Sequence, residues 1–111
     1  MFRNMPILKM VYSEYERGTT IKISAEFLAD NKLVDPLYPR VTVYRPDGTK
    51  LIDNAEPFRE ESGKYHYYIE TSKTDPLGLY IVEWSGWCGL EGTLGSGQII
   101  QRDVFSLVEV E

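Results

Sequence analysis

Apolar and polar residues alternate with a period of two along much of the chain, and no stretch carries a convincing helical period. Residues 62–84, SGKYHYYIETSKTDPLGLYIVEW, show this best. The first run places Tyr65, Tyr67 and Ile69 on one face, with His66, Tyr68 and Glu70 on the other. The second places Tyr80, Val82 and Trp84 together, with Leu79, Ile81 and Glu83 opposite. Aromatic and β-branched residues at this density suit a pleated, half-buried surface. A polar turn on Thr74-Asp75-Pro76-Leu77-Gly78 separates the runs. Gly63 and Gly78, just before each run, accept backbone angles that other residues resist. Two central strands of a β domain are expected.

The rest of the chain follows the same logic. After a turn at Glu16-Arg17-Gly18, residues 19–28 alternate with Ile21, Ile23, Ala25 and Phe27 on one face, as in an antiparallel strand with one wet side. Ala29 to Lys32 is a polar connection, and Pro36 and Pro39 favour extended loop over central strand in residues 33–39. Residues 40–45 predict a short strand with Val41 and Val43 together. Arg45-Pro46-Asp47-Gly48 is a strong turn, with proline presetting one angle and glycine tolerating positive φ. A brief strand follows at residues 49–52, then an edge strand at 56–60 confined to the periphery by Pro57. Residues 85–97 read as a glycine-rich loop, and residues 98–110 as a long last strand with Phe105 and Leu107 inward. About seven strands with short turns predict an all-β fold, a single antiparallel β-sandwich. Residues 1–18 are expected as an arm or edge strand and residues 19–111 as the domain itself.

Length and composition fit one domain with one core: 111 residues, 42% of them hydrophobic. A net charge of −5 with no basic run argues against nucleic acid, which demands a clustered positive field. One cysteine, Cys88, excludes an internal disulfide and a multi-cysteine zinc site. Lys9 interrupts the first apolar stretch before a secretory h-region forms, and no run approaches a membrane span.

Catalytic constellations are not apparent. His66 is the sole histidine, so any Ser-His or Cys-His system would depend on it. Its place among strand tyrosines fits cross-strand packing instead. Glu60 and Glu61 are adjacent and point apart, the wrong arrangement for paired glycosidase carboxylates. Asp30, Asp35, Asp47 and Asp53 fall at turns, where aspartates bond their own backbone, and they do not compose a calcium loop. Gly92 to Gly97, GTLGSG, has the glycines of a phosphate cradle but no Lys-Ser/Thr ending and no following helix. No catalytic residue, cofactor or metal is expected, and the chain does not read as an enzyme.

The succession PxVTVYRPDGTxL, SGKYHYYI, TDPLGLYIVEW and DVFSLVEV resembles the immunoglobulin-like domains of tailed-phage and prophage structural proteins. The resemblance runs from about Thr19 to Val110, with Asp75, Gly78, Tyr80 and Trp84 where that pattern places them. Tyr80 resembles a tyrosine-corner residue. The antibody cysteine pair is missing, and the glycine-rich loop is longer than the pattern. The resemblance implies an immunoglobulin-like sandwich located in a virion after synthesis in the host cytoplasm. It implies a capsid decoration (cement), neck or tail accessory role. Partners would be other virion structural proteins, in a homo-oligomer or symmetric array, with no nucleic acid and no membrane.

Trp87, Leu90 and Leu94, set among glycines, are the candidate partner contact, together with Phe2 and Met5 of the arm. The alternative for residues 85–95 is a glycine-tipped hairpin extending two strands, with Trp87 folded over the core's end. A second function class is a carbohydrate-binding or adhesive module, in which Tyr12, Tyr15, Tyr38, Tyr44 and Tyr68 form a stacking platform.

Overall fold

The computed structural model describes residues 13–29, 31–88 and 97–109, which form strands and turns with no helix among them. The strands are β1 (Ser13–Glu16), β2 (Thr20–Glu26), β3 (Leu28–Ala29), β4 (Lys32–Leu33), β5 (Leu37–Tyr44), β6 (Lys50–Ala55), β7 (Phe58–Glu61), β8 (Lys64–Glu70), β9 (Gly78–Cys88) and β10 (Gly97–Val108). One sheet has five strands in the order β1-β10-β9-β5-β6, and another has three in the order β2-β8-β7. The short β3 and β4 pair with each other. Every ladder is antiparallel except β1 with β10, which is parallel. The expectation of about seven strands thus falls short of the eight in these two sheets.

The period-two pattern sorts the side chains as read. Ile21, Ile23 and Ala25 of β2, Phe27 beyond it, and Tyr65 and Ile69 of β8 are buried. They join Val41 and Val43 of β5, Tyr80, Val82 and Trp84 of β9, and Phe105 and Leu107 of β10 in one hydrophobic cluster. Both sheets therefore feed a single core, a geometry compatible with a sandwich. Tyr80 stacks on Phe105 with ring centroids 5.1 Å apart, and Phe27 meets Tyr65 edge-on at 5.4 Å.

The Pro-Asp-Gly turn closes as expected. Gly48 N donates to Arg45 O at 2.9 Å, Thr49 N donates to Asp47 Oδ1 at 2.9 Å, and Gly48 sits at φ 89°. Three other expectations need correction. Residues 37–39 are not loop: β5 begins at Leu37. Its register with β9 shifts between Leu37 and Arg40, and Tyr38 adopts φ 52°. Pro39 is tolerated at that bulge, where a ladder donor is not required of it. Asp53 is not a turn residue but lies within β6, 3.3 Å from Lys50 Nζ. Residues 85–88 are not loop either, because β9 continues through Ser85, Gly86, Trp87 and Cys88 against β10. Gly86 serves close packing there: a Cβ on it would stand 2.6 Å from the Pro36 Cβ.

Candidate functional site

Extension of β9 to Cys88 places Trp87 on the sheet face away from the core, opposite to Trp84 and Gly86, and holds it between two partner strands. Its register partners are Leu37 of β5 and Gln98 of β10. Ile100 of β10 lies one diagonal step away on the same face, within reach of large side chains. Trp87 is 50% exposed, Leu37 59% and Ile100 45%. Trp87 thus lies on a paired strand, half in water, rather than folded over the core. Tyr38 follows Leu37 in the left-handed region, which a bulky residue occupies only under strain. It is the most exposed large apolar side chain described, at 72%. This Trp87 corner is a group of large apolar side chains in water, held on β9 and β10 and at the β5 bulge.

Further along the outer face, Arg102 Nε and Nη2 both contact Glu83 Oε2, at 3.0 and 2.9 Å. Beyond this pair the face turns apolar again at Ile81 and Leu79. Ion pairs of this exposed kind add little stability, but they give the face a charged stripe between two apolar zones.

His66 has a packing role. Its ring stacks on Phe58 at 5.8 Å and meets Tyr68 edge-on at 5.4 Å. Nδ1 stands 3.1 Å from Glu60 Oε1 but out of hydrogen-bond alignment. The same Glu60 oxygen receives Lys22 Nζ at 2.8 Å; that bond lowers the Glu60 pKa and raises that of Lys22. Glu61 instead pairs with Lys64 at 3.0 Å, so the two glutamates do not converge.

Asp35 is a structural hub that local sequence reading described only as turn punctuation. Its carboxylate accepts Arg59 Nε and Nη2, each at 3.1 Å, the Gly63 N–H at 2.8 Å and the Tyr65 hydroxyl at 3.1 Å. The Arg59 bonds foremost, then the Gly63 amide, lower its pKa to about 2. Among the described residues, no group of three His, Cys, Asp or Glu side chains could hold a metal ion.

An open groove of about 400 Å³ lies between β2 and β10, lined by Ser13, Lys22, Ser24, Trp84, Asp103 and Phe105 among others. Trp84 is fully buried, and its Nε1 has no hydrogen-bond partner among the described residues. Gln101 Nε2 reaches across to Glu26 O at 2.9 Å.

The described tyrosines named for a sugar-stacking platform are spread over two sheets. Tyr15 packs edge-on against Phe105 at 5.8 Å, Tyr38 and Tyr44 belong to β5, and Tyr68 belongs to β8 in the other sheet. Tyr12, Phe2, Met5, Leu90 and Leu94 lie outside the described residues. Of the expected contact residues, Trp87 is therefore the one placed. Its neighbours Leu37 and Ile100 carry no local sequence signal for the site: Leu37 sits between two prolines that favour loop, and register alone joins the two to Trp87. No helix among the described residues is long and apolar enough to cross a membrane. No protein-family model, curated protein or solved structure matches the chain.

Proposed function

We propose that the chain is an immunoglobulin-like sandwich serving a tailed-phage particle as a non-enzymatic structural or accessory protein. Capsid decoration and a neck or tail position are the roles that fit. The fold reading is supported by the sheet order, with a parallel edge strand β1 beside β10 and a facing β2-β8-β7 sheet. It is supported further by the Tyr80 hydroxyl, which donates to Pro76 O at 2.6 Å, the bond of a tyrosine corner. Virion membership rests on the resemblance of residues 19–110, since a fold of this kind serves many roles.

The observation that carries the contact reading is the Trp87 corner. Trp87 and Leu37 already have about half of their surface covered, so burying the rest would contribute roughly 1–1.5 kcal/mol each, and aromatic anchors of this type dominate interfaces. The described tyrosines are spread over β1, β5 and β8 in two sheets, which favours a protein partner over a glycan. Mass spectrometry of purified particles from the host strain tests membership. The expected result is this chain at a fixed ratio to the major capsid or tail protein. Particles lacking it would overturn the proposal, and glycan-array binding with no particle association would establish the adhesive alternative.

A further inference from the structure

We infer that the outer face of the five-stranded sheet is a self-complementary surface on which a second copy of this chain docks. The inference rests on the docking role given to the Trp87 corner and names what docks there. Alternation along β9 turns Leu79, Ile81, Glu83, Ser85 and Trp87 outward, since Tyr80, Val82, Trp84 and Gly86 between them are buried. Register sets Val104, Arg102, Ile100 and Gln98 of β10 beside Ile81, Glu83, Ser85 and Trp87. Leu79 and Ile81 are exposed, as are Trp87, Leu37 and Ile100. Along the strands the face is therefore apolar, then charged at Glu83 and Arg102, then apolar again. Exposed apolar groups gathered on one face mark an interaction surface. The outer face of the other sheet differs: around Phe58 and Tyr68 it carries the ion pairs Lys22–Glu60, Lys64–Glu26 and Lys64–Glu61.

The charged stripe decides how two copies turn. Sheets packed face to face about a two-fold axis in the interface plane meet in two simple ways. With the axis across the strands, Glu83 stands over Glu83 and Arg102 over Arg102, so like charges meet. With the axis along the strands, between β9 and β10, Glu83 stands over Arg102 of the second copy and Arg102 over its Glu83. Charge complementarity selects this second arrangement. The same rotation exchanges the other register partners. Ile81 falls over Val104 of the second copy, apolar on apolar. Trp87 falls over Gln98 and Ile100 over Ser85, so each large apolar side chain meets a smaller one, and Leu37 flanks them. The nine residues from Leu79 to Trp87 span about 27 Å, and four strand widths about 19 Å. The footprint is thus about 500 Å² per copy and about 1,000 Å² in all, the low end for a specific interface. Such a dimer is weak and concentration-dependent.

Sedimentation of the purified full chain, from low to high micromolar concentration, tests the inference. The expected result is a mass that climbs from monomer toward dimer, with Trp87→Ala weakening the association about tenfold. Glu83→Arg and Arg102→Glu should each be monomeric alone, because four like charges then meet. An equimolar mixture of those two variants should dimerise, because every charge then faces its opposite. Near-wild-type melting of each variant verifies that it is folded. A wild-type chain that stays monomeric at every concentration would overturn the inference. So would a dimer indifferent to Trp87→Ala, or a mixture no more associated than its components. None of these readouts involves a particle. Their failure would leave the corner to a different virion protein, whereas particles lacking the chain would end the virion reading and leave the dimer standing.

Discussion

Tyr80→Phe isolates the bond that anchors the turn before β9. The substitution keeps the ring, its burial and its stack on Phe105, and removes the hydroxyl that donates to Pro76 O at 2.6 Å. A buried hydrogen bond contributes about 0.5–1.5 kcal/mol net, and a carbonyl left without its donor adds part of a desolvation cost of about 1–3 kcal/mol. The expected loss is about 1–2 kcal/mol, or roughly 4–10 °C in Tm for a domain of this size. Urea denaturation read by tryptophan fluorescence measures it, with the exposed Tyr38→Phe as the control that should not change. The substitution also has an alkaline signature. Burial, and then the charge of Asp75, raise the Tyr80 pKa above that of a free tyrosine. The folded state thus holds its proton at pH values where the unfolded chain has lost it. Stability falls as the pH rises past about 10, and Tyr80→Phe should flatten that decline. Wild-type stability in Tyr80→Phe at neutral pH would refute the anchoring argument.

Other perturbations test other parts. The Asp35 pKa, lowered to about 2, gives a stabilising contribution that is complete above the ordinary carboxylate range near pH 4 and is lost as pH falls toward 2. Asp35→Asn should remove this acid dependence from a stability-versus-pH series. Gly63→Ala should cost more than Gly48→Ala in denaturation. Both glycines have positive φ, where a Cβ costs about 1–2 kcal/mol, but a Cβ at Gly63 would also stand 2.8 Å from Leu33 Cβ and 3.0 Å from Val34 N, whereas Gly48 has open space. Phe105→Ala, which empties the ring site between Tyr15 and Tyr80, should cost about 3–5 kcal/mol by the same assay. Trp87→Ala should leave the isolated domain's Tm within a degree or two of wild type, as is usual for an exposed site.

The strands with strict alternation were legible because one face of each is dry. Ile21, Ile23 and Ala25, and Tyr80, Val82 and Trp84, are buried as their spacing demands. The bond from the Tyr80 hydroxyl to Pro76 O spans only four residues, yet the sequence marks Tyr80 for it through a family resemblance alone. What escaped was non-local. Asp35 gathers Arg59, Gly63 and Tyr65 from 24 to 30 residues downstream, and no local rule links them. The strand at Leu37-Tyr38-Pro39 was hidden because its bulge uses a tyrosine at positive φ and a proline, both of which read as loop. Gly86 misled in the opposite sense: it looked like flexibility, and its lack of a side chain makes room for Pro36. The parallel pairing of β1 with β10 joins residues about ninety positions apart, so the groove beside it had no trace in the sequence.

The central claim is that this domain acts by docking through the Trp87 corner. It is tested most directly by the copy number of a Trp87→Ala, Leu90→Ser chain in purified particles, measured beside wild type from the same host. The account predicts a folded, soluble variant largely absent from the particles. A variant incorporated at the wild-type copy number would contradict it.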